Sequence, residues 1–86
     1  MPEKLVGKIT HYFGNLGVGV VELTDGELKV GDKIHIKGNQ TDFEQEVTSL
    51  QVDKNSVAVI KVGESAGLKV GEKVRENDEV YLVTEE

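Results

Sequence analysis

Eighty-six residues carry 10 basic side chains against 16 acidic ones, a net charge of −6, and no cysteine. A chain of this length makes one domain, burying about 60–65% of the surface its unfolded form exposes, so one modest core is expected and a deep substrate cavity is not. The missing thiols exclude a disulfide framework, a thiolate nucleophile and a zinc–thiolate centre.

The charge balance narrows the partners. Arg75 is the only arginine, and arginine is the side chain suited to forked recognition of phosphates and base edges. An acidic chain with one arginine is a poor free-standing nucleic-acid binder. No apolar run approaches the ~20 residues of a membrane span, and the start, Met1-Pro2-Glu3-Lys4, has no signal-peptide layout. The expectation is a cytoplasmic monomer with no membrane contact.

Apolar and polar residues alternate, and the gaps hold glycine, asparagine and aspartate, the pattern of strands joined by tight turns. The first strand is expected from Lys4 to Phe13, with Leu5, Gly7, Ile9, His11 and Phe13 on one face and Lys4, Lys8, Thr10 and Tyr12 on the other. Gly14-Asn15 breaks it. A second strand spans Gly17 to Leu23, and Thr24-Asp25-Gly26-Glu27 turns, since Asp-Gly supplies the positive φ a hairpin loop often needs. Lys33 to Lys37 is a clean strand, Ile34 and Ile36 facing one way and Lys33, His35 and Lys37 the other.

The next strand runs from Asp42 to Val52. Its apolar phase changes between Val47 and Leu50, which requires a bulge or bend near Thr48-Ser49. Asp53-Lys54-Asn55 is a loop. Ser56 to Val62 is apolar on both phases, so it fits a buried strand or an extended stretch crossing a barrel end. Ala66 to Val70 follows, then a pair at Lys73-Val74-Arg75 and Glu79 to Val83 joined by Asn77-Asp78, and a solvated tail at Thr84-Glu85-Glu86. About six to eight short strands in one domain suggest an all-β, closed Greek-key barrel, because closure hides sheet edges. The single domain covers 1–86 with its core at about 4–83. One internal echo stands out: Leu28-Lys29-Val30-Gly31-Asp32-Lys33 recurs as Leu68-Lys69-Val70-Gly71-Glu72-Lys73. It is expected to be one turn chemistry used twice.

Catalytic patterns are sparse. Gly14-Asn15-Leu16-Gly17-Val18-Gly19 is glycine-rich but lacks the lysine and following helix of a phosphate loop. A zinc site on His11 and His35 would need further ligands. His11 is expected to be half-buried and hydrogen-bonded, and His35 to lie on an exposed strand face. No G-x-S-x-G elbow is present, and Asp25 with Glu27, and Asp78 with Glu79, sit in turns that select acids for backbone hydrogen bonds. A non-enzyme is expected, with no catalytic residue, metal or cofactor.

The stretch Gly26 to Gly38 resembles a signature of the second domain of translational GTPases such as elongation factor Tu, and Val62-Gly63-Glu64-Ser65-Ala66-Gly67-Leu68 is similar to that domain's second landmark. Val47-Thr48-Ser49-Leu50-Gln51 fits the strand between. Val6 to Phe13, Gly17 to Leu23 and Thr41-Asp42-Phe43-Glu44-Gln45 resemble more closely the small C-terminal barrel of collagenase-like peptidases and free-standing translation elongation factor-like proteins. The resemblance implies a small barrel of the translation-factor second-domain type. It implies a docking module for a protein or ribonucleoprotein partner linked to translation, with no GTP bound. A second reading is an accessory subunit of a peptidase-like RNA-modifying enzyme. A third is weak direct RNA binding by the lysine face Lys33, His35 and Lys37, near Lys8 and Tyr12, through charge and stacking.

Overall fold

The computed structural model describes residues 3–53 and 55–83. Among them the chain forms strands and turns without a helix: β1 (Glu3–Phe13), β2 (Val18–Leu23), β3 (Glu27–Lys29), β4 (Lys33–Lys37), β5 (Asp42–Glu46), β6 (Leu50–Val52), β7 (Asn55–Val57), β8 (Val59–Lys61), β9 (Ser65–Lys69) and β10 (Glu79–Val83). The strand Lys33–Lys37 and the last strand Glu79–Val83 stand at the expected bounds. The tail 84–86 lies outside the described residues, as does Lys54 of the expected loop.

The strand count exceeds expectation because two segments divide and because Glu27–Lys29, read as the end of a turn and a connection, forms the short strand β3 against β8. The change of phase after Val47 is more than a bulge. β5 pairs with β4, whereas β6 pairs with β9 and β7, so the chain leaves one end of the sheet and rejoins it at the other. The doubly apolar stretch divides at Ala58, sending β7 to β6 and β8 to β3. Conversely, Lys73-Val74-Arg75 is not a strand. Val74 is buried, and the Arg75 backbone N–H donates to Asp78 Oδ2, so this stretch spends its polar backbone on a turn.

The main sheet has the order β5-β4-β10-β1-β2-β9-β6-β7, and β3-β8 forms a separate ribbon. All these ladders are antiparallel. The expected closed barrel is not found, because no ladder joins the end strands β5 and β7 among the described residues. Isolated contacts work at these margins instead. Val47 exchanges backbone hydrogen bonds with the turn after β3 through Asp32 O (2.7 Å) and Gly31 N (2.8 Å), and the Gln45 amide donates to Lys69 O at 2.8 Å. The architecture is a compact all-β domain with a Cα radius of gyration of 11.4 Å.

β1 departs from simple alternation. Its register shifts against β10 between Leu5 and Gly7, and against β2 between Ile9 and His11. An extra residue in one strand reverses every later side chain. Val6, Gly7 and Ile9 are therefore buried, while Leu5, His11 and Phe13, assigned to the same face by strict alternation, are exposed.

A four-residue turn recurs three times. In each, a basic residue's backbone N–H donates to the carboxylate three positions on, and the acid's N–H donates back to that residue's carbonyl. The pairs are Lys29/Asp32 (3.0 and 3.1 Å), Lys61/Glu64 (2.7 and 3.0 Å) and Arg75/Asp78 (2.8 and 3.1 Å). The third position carries positive φ in every case: Gly31 at 100°, Gly63 at 89° and Asn77 at 74°. That is the demand a type II turn places on Gly or Asn. The echo at Lys69-Val70-Gly71-Glu72 does not make this turn; Gly71 N donates to Gln45 Oε1 instead. Expectation and structure also part within the echo, since Val30 is exposed and Val70 buried.

The core is aliphatic. Val6, Ile9, Val21, Leu23, Leu28, Ile34, Ile36, Leu50, Ile60 and Leu68 are at most 1% exposed, with Tyr12, Phe43 and Leu82 packed against them from the margin. Burial of each such side chain contributes about 1.5–3 kcal/mol before entropy is counted.

Candidate functional site

The lysine face exists, and its neighbours are acids. β4 lies between β5 and β10, and directly paired residues share a face. Lys33 stands opposite Glu46, His35 opposite Glu44, and Lys37 opposite Asp42. On the other side Lys37 stands opposite Glu79, which itself pairs with Lys8 of β1, and Lys8 pairs with Glu22 of β2. One row across five strands thus alternates in sign: Glu22, Lys8, Glu79, Lys37, Asp42. Lys33 Nζ also lies 3.4 Å from Glu44 Oε1.

Lys8, Lys33, His35 and Lys37 are therefore brought onto one face. Tyr12 is not among them. Residues 8 and 12 have the same parity, but the shift between Ile9 and His11 turns Tyr12 toward the buried Gly19, and its ring packs on the core. Arg75 borders a shallow cleft of about 270 Å³ with Lys37, Asn39, Glu76 and Glu79, so acids flank the sole arginine too.

The two histidines exchange the expected roles. His11 is exposed, 3.4 Å from Glu76 Oε2 through Nδ1 and edge-on to Phe13 at 4.4 Å between ring centroids. His35 has a side chain only 15% exposed, with Nδ1 2.8 Å from Glu3 Oε2 and Nε2 2.5 Å from Asp42 Oδ1. The Asp42 hydrogen bond raises its pKa above the ordinary value; burial opposes this, and the Glu3 hydrogen bond and the two carboxylate charges add to the rise. Next to it, the Tyr81 hydroxyl donates to Glu79 Oε1 at 2.9 Å, which lifts the phenol pKa. Donor atoms of Glu3, His35 and Glu44 come within 4.8 Å of one another. The acids around His35 escaped the sequence reading, although Asp42-Phe43-Glu44-Gln45-Glu46 shows an acid at every second position.

A second surface feature was also missed. Phe13 and Leu16, at the tip of the β1–β2 hairpin, are 44% and 68% exposed. The turn between them is held by Leu16 N and Gly17 N donating to Phe13 O, with Gly17 at φ 65°. The left-handed conformation accounts for Gly17, and close packing on Val74 accounts for Gly19, without a phosphate ligand.

The sequence and the fold match known proteins. The chain is 37% identical over 81 residues to an uncharacterized protease of Methanocaldococcus jannaschii, a match over 93% of this chain and 20% of that one. A collagenase of Porphyromonas gingivalis is 38% identical over 77 residues, 88% of this chain and 21% of that one. These two relatives are named as a protease and as a collagenase. The chain spans about a fifth of the length of these curated relatives. No family model matches. Among solved structures, the C-terminal domain of a Geobacillus thermoleovorans protein named as a U32 peptidase superposes with a TM-score of 0.86 at 14% identity, over 94% of this chain and 93% of that one. Its selenomethionine variant gives 0.83 at 16% identity, over 90% and 96%. At such identity the likeness is one of fold. The resemblance to collagenase-like peptidases is thus supported, while the translation elongation factor-like identity receives no support.

Proposed function

We propose that this chain is a non-catalytic accessory domain that works with a collagenase-like peptidase body. The observation that carries this is the size of the match: nearly all of this chain aligns with a fifth of each relative. That leaves about four-fifths of each relative to carry its activity. The isolated C-terminal domain with the same fold is consistent with a unit that folds by itself.

Two features support the non-catalytic part, and a third bears on the partner. Among the described residues both histidines face carboxylates, and no serine or threonine hydroxyl bonds to either. A nucleophile needs a base within hydrogen-bond reach. The clefts at Lys37 to Glu79, at Tyr12 to Leu16 and at Gln45 to Gly71 have neither histidine in their lining. The alternating charge row favours a protein partner over RNA, because each lysine of the face stands beside an acid that repels phosphate.

Co-expression with a collagenase-like protein encoded in the same genome tests the reading. Co-elution as one complex on size exclusion is the expected result. Separate elution, together with capture of ribosomes or transfer RNA by the chain alone, would restore the translation-linked docking reading.

A further inference from the structure

His35 holds a carboxylate at each ring nitrogen, and that arrangement has one consistent protonation state. Ionised Glu3 and Asp42 only accept hydrogen bonds, whereas a neutral imidazole has one N–H and one lone pair. A neutral ring would set a lone pair against one carboxylate, at 2.8 Å on the Glu3 side or 2.5 Å on the Asp42 side. The imidazolium donates to both.

The positions of the two acids give the contact mechanical meaning. Asp42 opens β5, an end strand of the main sheet, and Glu3 opens β1, which is separated from β4 by β10. The His35 side chain therefore ties an end strand to the start of a strand three places away in the sheet. We propose that His35 is a protonation-operated clasp, fastening the leading ends of β5 and β1 to β4 and releasing one of them when the ring loses a proton.

The groups facing the ring agree with this. β5 contributes Asp42 and Glu44, β10 contributes Tyr81, whose ring centroid lies 6.3 Å away, and Glu79, and β1 contributes Glu3. β4 itself contributes Lys33 and Lys37, and Lys33 is 3.4 Å from Glu44. The acids outnumber the two lysines, so the field around the ring favours the cation. The direction of the pKa shift is the same. Release matters most for β5, whose outer edge has no ladder partner among the described residues.

Nuclear magnetic resonance of the intact chain tests the clasp. Titration of the His35 ring is expected to have its midpoint above the ordinary value of about 6.5, with both ring nitrogens protonated below that midpoint. Asp42→Asn and Glu3→Gln should each lower that midpoint. Amide exchange of Phe43 and Gln45, corrected for its intrinsic pH dependence, should quicken on the order of tenfold as the ring deprotonates, equivalent to losing one charge-assisted hydrogen bond. Asp42→Asn changes an exposed residue, so the folded chain remains available for measurement. A midpoint at or below the ordinary value, one unmoved by either variant, or exchange indifferent to the ring's charge would overturn the proposal. A His35 resonance that shifts with equimolar zinc would also overturn it, since a metal would then occupy the place assigned to the proton.

Discussion

The Asp78 carboxylate occupies the space that a side chain on Gly38 would need; a Cβ built at Gly38 collides with Asp78 Oδ1. Asp78 is only 4% exposed, and its other oxygen accepts the Arg75 backbone N–H at 2.8 Å. Gly38→Ala must therefore push a buried, hydrogen-bonded carboxylate out of its turn. A loss of about 1–3 kcal/mol is expected, read as a lower urea midpoint. Asp78→Ala should cost a similar amount by orphaning that N–H, and the double variant should cost less than the two singles combined.

The recurring turn separates two glycines that look equivalent in sequence. Gly31 has φ 100° and open space around it, so the penalty for Gly31→Ala comes from backbone conformation alone, about 1 kcal/mol. Gly71 has no positive φ, and the nearest atom to an added methyl is Gln45 Oε1 at 3.9 Å. Gly71→Ala is expected to be neutral or stabilising by a few tenths of a kcal/mol, up to about 1. Thermal denaturation of the two variants side by side decides it; equal losses would sink the turn assignment.

Burial separates two leucines in the same way. Leu68 is fully buried, with Leu50 and Gly19 as its cross-strand neighbours. Leu68→Ala should cost about 2–5 kcal/mol. Leu16 is 68% exposed at the hairpin tip, and Leu16→Ala should stay within about 0.5 kcal/mol of the parent. Denaturant unfolding followed by circular dichroism gives both values.

The raised pKa of His35 makes stability depend on pH with a definite sign. The folded state favours the protonated ring. The stabilisation is therefore complete below the unfolded-state value of about 6.5, and it is lost as pH rises through the higher folded-state value. The denaturation midpoint should fall across that window in the parent chain. In His35→Gln the same window should be flat, and a parallel fall in both chains would count against the assignment.

Electrostatic balance on the β4 face predicts how RNA would behave. The parent chain should bind short single-stranded RNA no better than roughly 10⁻⁴ M at physiological salt, the weak limit of non-specific association. Glu44→Gln with Glu46→Gln removes two acids standing opposite His35 and Lys33. That variant should gain salt-sensitive affinity, visible by fluorescence anisotropy. Tight binding by the parent would return the lysine face to candidacy as an RNA surface.

Much of the chain was legible because neighbouring residues decide it. Alternation placed Ile34 and Ile36 inside and Lys33, His35 and Lys37 outside, and the strand appears at those bounds. Asp25-Gly26 announced a turn, and Gly26 has φ 68°. The change of phase after Val47 announced an irregularity, and the chain indeed leaves its strand there. What alternation could not reveal was the partner of each strand. Tyr12 turned inward and His11 outward because β1 shifts register against β2, a consequence of where β2 lies. The absence of a β5–β7 ladder among the described residues likewise depends on how far the sheet curls, which no local window encodes.

The sequence by itself determined an all-β domain of modest core; the order basic residue, spacer, glycine or asparagine, acid makes its turn at three places, but at Lys69-Val70-Gly71-Glu72 the contact with Gln45 replaces it. It also showed the lysine face, since three residues at spacing two need only a strand to align them. Only the tertiary structure decided what that face confronts. Asp42, Glu44, Glu79 and Glu3 reach it from three other strands, and hydrogen-bonding registers between distant segments set those meetings. Side-chain parity is a local property, whereas charge compensation is a property of the assembled sheet.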